Sequence, residues 1–192
     1  MTIKEALSWA SSELSVACER PQYEAELLLA YFLKQDRMYL ITHDRDMLED
    51  VSTYQSLITR RAHNEPYEYI VGEASFYDIH LGVEEGVLIP RPETEILIDL
   101  VADIIEKENI MRIAEIGVGT GAISIVLARK FPKLQSIATD ICDAPLRVAA
   151  KNIETFGLQN QIILRKSNLI DEVDETIELV VSNLLTSQKT FC

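Results

Sequence analysis

The chain reads as an α/β protein, a parallel sheet preceded by a small helical bundle and a β-hairpin linker. Three observations carry that reading. From Arg112 onward, short apolar runs alternate with helix-patterned segments, as in a parallel sheet with right-handed crossovers. The first of those runs, Arg112 to Ile116, breaks into Gly117-Val118-Gly119-Thr120-Gly121 before an apolar segment begins at Ala122, which is a buried strand turning sharply into a helix. Before Pro66 the apolar residues recur instead at helical spacing.

Composition narrows the function classes. With 192 residues, 47% of them hydrophobic, there is material for a real core and for two domains. The formal net charge of −13 disfavours a groove that tracks the phosphates of free nucleic acid, and favours a protein or small-molecule partner. The 3 cysteines and 3 histidines are scattered, suggesting neither a disulfide framework nor a metal site. The opening residues carry Lys4, Glu5 and Glu13 rather than an apolar signal core, and no uncharged run is long enough to span a bilayer. A reducing cytoplasm is the expected setting.

Residues 1–64 are expected to form the bundle. Thr2 and Glu5 make a capping box, and Ile3, Leu7, Ala10, Leu14 and Ala17 share one face, so a first helix runs to about Cys18. Pro21 opens a second helix with Ala25, Leu28, Leu29, Phe32 and Leu33 as its stripe. Asp46 opens a third, carrying Leu48, Val51, Leu57 and Ile58 to a basic end at Arg60 and Arg61. Within 65–92, Tyr69 to Val71, Phe76 with Tyr77, and Ile79, Leu81 and Val83 are short β-type runs punctuated by Gly72, Gly82 and Gly86, which predicts a hairpin linking the two domains. Two prolines stiffen Ile89-Pro-Arg-Pro-Glu-Thr-Glu95. Pro92 then opens a helix with an acidic start, burying Leu97, Leu100, Val101, Ile104 and Ile105. This stretch reads either as a rigid connector or as a wall of the ligand cleft.

The sheet occupies 93–192. Its first strand leads to a helix from about Gly121 to Phe131, and Gln135 to Thr139 is a second strand closed by Asp140. Asp143 and Pro145 open a helix that Gly157 caps; Ile162 to Arg165 is a third strand, and Ile177 to Ser182 a fourth, followed by Asn183. Ligands of such sheets bind at the strand carboxyl ends. Glycines there accept positive φ and let a ligand lie against the backbone, although a tight turn without a ligand and a dinucleotide fingerprint fit the same residues. Asp140, about twenty residues beyond the last glycine, can accept both hydroxyls of a ribose. That supports a nucleoside-containing cofactor without separating a nicotinamide from S-adenosyl-L-methionine.

Five segments separate them. Pro66-Tyr-Glu-Tyr-Ile-Val-Gly-Glu73, Phe76-Tyr77, Gly86-Val-Leu-Ile-Pro-Arg-Pro-Glu-Thr-Glu95, Glu115-Ile-Gly-Val-Gly-Thr-Gly121 and Val181-Ser-Asn183 resemble, in order and spacing, the HemK/PrmC release-factor glutamine methyltransferases. The resemblance implies a class I S-adenosylmethionine-dependent methyltransferase sheet, S-adenosyl-L-methionine as donor, and no metal. It implies methyl transfer to the glutamine side-chain amide in the Gly-Gly-Gln loop of class I peptide chain release factors, with the helical domain recognising that substrate. Gly117, Val118, Gly119, Thr120 and Gly121 would pass under the methionine part of the donor, Asp140 would hold its ribose, and Asn168 would stand near the adenine. Asn183 would hold the acceptor glutamine, with Leu184, Leu185 and Thr186 beside it.

The chain departs from that pattern where the family has Asn-Pro-Pro-Tyr and this sequence has Asn183-Leu184-Leu185-Thr186. Both backbone-fixing prolines and the aromatic ring are replaced. A sheet of this class continues for three more strands, so the chain reads as C-terminally incomplete, truncated after about four strands, and as weak or inactive by itself. A non-catalytic donor-binding or protein-interaction module is the rival reading. A nicotinamide oxidoreductase has no reason to carry the proline-arginine-proline segment, and the acidic balance argues against a nucleic-acid amino methyltransferase. A monomer, with no membrane and no free nucleic acid among its partners, completes the expectation.

Overall fold

The computed structural model describes residues 1–184. Its contacts divide the chain into two units, Met1–Gly72 and Glu73–Cys192.

The first unit is all helix. Helix α1 (Ile3–Leu14) begins at the capping box, where Thr2 N–H donates to Glu5 Oε2 at 2.8 Å and Glu5 N–H donates to Thr2 Oγ1 at 3.2 Å. It stops at Leu14 rather than Cys18, because the chain tightens there into bonds from Ser15 N–H to the Ser12 carbonyl and from Ala17 N–H to the Leu14 carbonyl. Helix α2 (Pro21–Leu33) opens on its proline. Helix α3 (Arg37–Thr42), absent from the sequence reading, is a short turn capped by Asp36, whose Oδ1 accepts from Tyr39 N–H at 2.8 Å. Helix α4 (Val51–Ala62) starts after Asp50, which accepts from Thr53 N–H at 3.1 Å. Asp46, expected in that role, lies in a turn where its carbonyl accepts from Ile3 N–H at 3.0 Å. Helix α5 (Tyr67–Val71) corrects the β reading of Tyr69 to Val71: Pro66 precedes its first turn, and Gly72, at φ +80°, supplies a left-handed stop. Ile70 is buried in the first core and Tyr67 and Val71 pack on it, so the contact division falls at Gly72. The largest fully buried side chain here is Tyr54, whose hydroxyl donates to the Ala25 carbonyl at 3.0 Å. That bond removes the penalty of a buried, unpaired hydroxyl.

The second unit begins with an antiparallel hairpin, β1 (Glu73–Phe76) and β2 (Ile79–Gly82). Tyr77 at its tip takes φ +52° and is anchored to helix α6 (Glu93–Glu108): its N–H donates to Glu95 Oε1 at 2.9 Å, and its hydroxyl lies 2.8 Å from the Glu95 carbonyl and 2.7 Å from Asp99 Oδ1. Helix α6 buries Ile98, Val101, Ala102 and Ile105. Leu100 and Ile104, expected inside, are 59% and 43% exposed, because the stripe is rotated toward the 98, 101, 102 and 105 positions. There follow β3 (Arg112–Ile116), α7 (Ala122–Lys130), β4 (Gln135–Asp140), α8 (Asp143–Thr155), β5 (Ile162–Lys166) and β6 (Leu179–Ser182). The four strands β3 to β6 make one parallel sheet in the order β5-β4-β3-β6. Ile98, Val101, Ile113, Ile125, Leu127, Ala138, Ile153 and Val181 form a single core against it.

Two buried polar groups hold this core in register. Glu115, 1% exposed on β3, accepts from Ser124 N–H at 3.0 Å and from the Ser124 hydroxyl, which is itself 2.7 Å from Ser136 Oγ. The carboxyl of a strand residue thereby caps the first turn of α7 from beneath. Burial pushes Glu115 up to about 7; the Ser124 hydrogen bonds pull back, and the charge of Asp140 adds to the rise. Asn152 of α8, 5% exposed, joins three elements: its Oδ1 accepts from Gly82 N–H at 2.8 Å, and its Nδ2 donates to the Gly82 carbonyl at 3.0 Å and to the Thr120 carbonyl at 2.9 Å.

Two outcomes follow from these groups. In the unfolded chain Glu115 titrates near 4.5, so between that value and about 7 the unfolded state has released a proton that the folded state keeps. Its contribution to stability therefore falls as pH rises through that window, by about 3 kcal/mol, and is level above it. Urea unfolding at pH 5 and pH 8 is expected to show this loss in the wild type and not in Glu115→Gln; parallel pH profiles would contradict it. Asn152→Leu removes the partner of three backbone groups, the buried Thr120 carbonyl and the part-buried Gly82 N–H and carbonyl, and is expected to cost about 2–4 kcal/mol in the same assay.

Candidate functional site

Strand register assembles the site. Ile116 of β3 pairs with Thr139 of β4 on one side and with Ser182 of β6 on the other, all three strands running parallel. The next residue on each strand path is Gly117, Asp140 and Asn183 respectively. Adjacent strands lie about 5 Å apart, so these residues stand side by side along the carboxyl edge of the sheet, with the glycine in the middle.

The turn after β3 is held from behind. Gly117 and Val118 both donate their N–H groups to the Thr139 carbonyl at 2.9 Å, and Gly121 N–H donates to the Val118 carbonyl at 2.8 Å. Gly117, Gly119 and Gly121 take φ of +77°, +55° and +84°, values that L side chains seldom adopt. Space divides the three. A Cβ on Gly117 would stand 2.6 Å from Leu184 Cδ2, whereas one on Gly119 would meet nothing within 4 Å. The backbone at Gly119 is therefore open, and a ligand can approach it closely. Val118 turns its side chain into the core and Thr120 is 3% exposed, so these two present mainly backbone to a ligand.

Asp140 closes β4. Its Oδ1 accepts from Cys142 N–H at 3.0 Å, and its Oδ2 lies 3.5 Å from Gly119 N. The carboxylate thus faces the open glycine across the mouth. Each oxygen keeps lone-pair capacity for a further donor. Asn168 follows β5; it is exposed, and its amide donates to Asp171 Oδ2 at 3.2 Å within its own loop. The loop returns to the mouth through Leu169, whose carbonyl accepts from Thr139 Oγ1 at 2.8 Å.

Asn183 follows β6, where the preceding Ser182 hydroxyl donates to the Ile116 carbonyl at 3.0 Å. Its Nδ2 donates to Thr94 Oγ1 at 2.8 Å. Leu184 lies beside Gly117, while Leu185 and Thr186 fall outside the described residues. The edge therefore gathers the glycine turn, Asp140, Asn183 and Leu184, with Asn168 further out. Sequence reasoning missed three supporting residues. Glu115 braces the helix behind the turn, Asn152 holds the Thr120 carbonyl, and Thr94 holds Asn183. Asn152 carried a signal, a polar residue inside the buried stripe Val148, Ala149, Ile153; Thr94 carried none beyond its place in the proline-arginine-proline segment. Among the described residues no group of three or more His, Cys, Asp or Glu could hold a metal ion, and no helix is long and apolar enough to cross a membrane.

Comparison with known proteins places both units. Residues 5–72 match the PrmC N-terminal domain and residues 93–184 match the methyltransferase small domain. A release factor glutamine methyltransferase of Dictyoglomus turgidum is 40% identical over 161 residues, which are 83% of this chain and 57% of that protein. One of Koribacter versatilis is 37% identical over 188 residues, 95% of this chain and 66% of that protein. The chain thus spans less than two thirds of the length of these curated relatives. Among solved structures, the ribosomal protein L11 methylase of Lactobacillus delbrueckii subsp. bulgaricus is 27% identical, with a TM-score of 0.45, covering 53% of this chain and 51% of that one. The parallel sheet is that of a class I methyltransferase preceded by a helical region, and the chain belongs to the PrmC family.

Proposed function

We propose that this chain carries the donor- and acceptor-holding part of a release-factor glutamine methyltransferase, acting in the cytoplasm on class I peptide chain release factors. S-adenosyl-L-methionine would supply an electrophilic methyl group on a sulfonium. The residues fit such a donor: the backbone at Gly119 is open where a Cβ would meet nothing within 4 Å, and Asp140 faces it with a carboxylate that can accept ribose hydroxyls. Gly117 to Gly121 would lie under its methionine part, and Asn168 would stand beside its adenine.

The acceptor is a poor nucleophile, since an amide nitrogen delocalises its lone pair into the carbonyl. Position must supply what reactivity does not. Asn183 Oδ1 accepts one hydrogen of the glutamine side-chain amide, and a backbone carbonyl beside it accepts the other, so the nitrogen is turned toward the methyl. With the donor bound, its sulfonium would give up the methyl group, and the amide nitrogen that accepts it would lose one proton to water. The observation that carries this reading is the shared register that sets Asn183 and Asp140 on either side of Gly117. The helical unit would recognise the release factor; it offers a groove of about 440 Å³ whose lining includes Lys4, Gln22, Glu26, Ile41 and Asp44. A net charge of −13 disfavours free nucleic acid as the substrate.

The test is transfer of label from methyl-labelled donor to a Gly-Gly-Gln release factor by the 192-residue chain. Weak incorporation at the glutamine is expected, reduced about 100-fold further in Asn183→Ala with donor affinity retained. Asp140→Ala is expected to weaken donor binding by about 10-fold or more. Donor binding without any transfer would instead favour a non-catalytic donor-binding module.

A further inference from the structure

The loop that leaves β5 flanks the strand edge beyond Asp140, and it carries an asparagine whose amide has two unlike ends. Ser167 N–H donates to the Asp140 carbonyl at 3.0 Å, extending the ladder in which Asp140 pairs with Lys166. Asn168 therefore leaves the same edge one strand further out. Its loop is tied at several points. Asp171 N–H donates to the Asn168 carbonyl at 3.1 Å, closing a turn over 168–171, and Glu172 N–H donates to Ser167 Oγ at 3.1 Å. The Leu169 carbonyl accepts from Thr139 Oγ1 at 2.8 Å. Arg165 of β5 donates to the Glu172 carbonyl at 2.6 Å and holds Glu175 through two bonds of 2.8 and 2.9 Å.

That framework brings a carboxylate to the Asn168 amide, whose Nδ2 donates to Asp171 Oδ2 at 3.2 Å. An asparagine amide can be turned over without changing its outline, which exchanges oxygen for NH2. A hydroxyl partner would accept either face, because it can donate as well as accept. An ionised carboxylate has no hydrogen to give, and turning the amide over would set the Asn168 oxygen against the Asp171 charge. The NH2 therefore faces Asp171. Oδ1 is left to accept, and among the described residues nothing donates to it.

We propose that Asp171 is a positioning residue that holds the Asn168 amide with its oxygen presented to the donor's purine, so that the site selects a base carrying an exocyclic amine. This role rests on the reading that Asn168 stands beside the adenine. The adenine amine has hydrogens to give, and Oδ1 accepts one. A purine with an oxo group on the same carbon offers only lone pairs there, which Oδ1 repels. Without Asp171 the amide is free to turn its NH2 to the oxo group, and the preference relaxes. Asp171 acts through Asn168 and touches no ligand itself. An aspartate at position 168 would accept at both ends and would need no such partner, so the role exists only for the amide.

The experiment measures the affinity of the 192-residue chain for S-adenosylhomocysteine and for S-inosylhomocysteine, which differ only in amine against oxo group and carry the same charge. The ratio of the two affinities is the readout, so a change that the lost carboxylate makes to both alike cancels. The wild type is expected to favour the adenosyl ligand by about 10-fold or more, and Asp171→Ala to narrow that preference by about 5-fold. In Asn168→Asp, removing Asp171 as well is expected to leave the ratio unchanged, because an aspartate has no wrong way up. An Asp171→Ala chain with the wild-type ratio would overturn the role. So would one that loses both ligands equally, which marks a collapsed loop, and so would an equal narrowing in the Asn168→Asp background, which shows Asp171 acting without the amide. If Asn168→Ala keeps the wild-type ratio, the adenine reading of Asn168 fails and this role with it. A wild-type chain that binds neither ligand overturns the donor reading itself, and the role with it. A preference lost in Asn168→Ala but kept in Asp171→Ala overturns the role alone.

Discussion

Parallel pairing of β4, β3 and β6 in one register is the constraint on which the site depends. Thr139, Ile116 and Ser182 form a row across the sheet, and a one-residue slip of any strand would carry its terminal residue away from the mouth and turn its side chains to the other face. The register is defended by polar bonds as much as by the apolar core. Thr139 gives its carbonyl to Gly117 and Val118, its hydroxyl reaches toward the Glu115 and Leu169 carbonyls, and Ser182 bonds the Ile116 carbonyl. Each ties one strand end to its neighbour at the level where chemistry would occur.

Behind the mouth, the second unit invests its buried polar groups in the same place. Glu115, Ser124 and Ser136 link β3, α7 and β4, and Asn152 links α8 to both the hairpin and the glycine turn. Buried polar groups are costly when unpaired and specific when paired. Here they bear on the turn that has to remain open, and Tyr77 and Asp78 carry the stitching to α6 and α7 through Glu95, Asp99 and Arg129. The hairpin is therefore part of the frame around the site rather than a loose connection.

The sheet and its edge were legible in the sequence because strand-helix alternation and glycine spacing are local signals. The register that sets Asp140 and Asn183 beside Gly117 is not local, yet it follows once four short runs are assigned to one parallel sheet. Other features were hidden for physical reasons. Tyr69 to Val71 has β-favouring side chains, but Pro66 and Gly72 bracket it as a helical turn that packs into the first core. Leu100 and Ile104 fit the helical period of α6 as well as Ile98 and Ala102 do, and only the packing decides which set is buried. The bond from Asn183 to Thr94 spans 89 positions in the chain, and no pattern of spacing announces it. The residues Leu185 and Thr186 lie outside the described residues, and Leu184 rests against Gly117.

The claim that three strand ends make one edge, with donor and acceptor held side by side, is tested most directly by titrating isotopically labelled protein with S-adenosyl-L-methionine and following backbone amide resonances. Gly117, Gly119, Asp140 and Asn183 are expected to shift together along a single saturation curve, with the helical unit unaffected. Shifts confined to one of these strand ends, or appearing elsewhere while all of them stay still, would contradict the account.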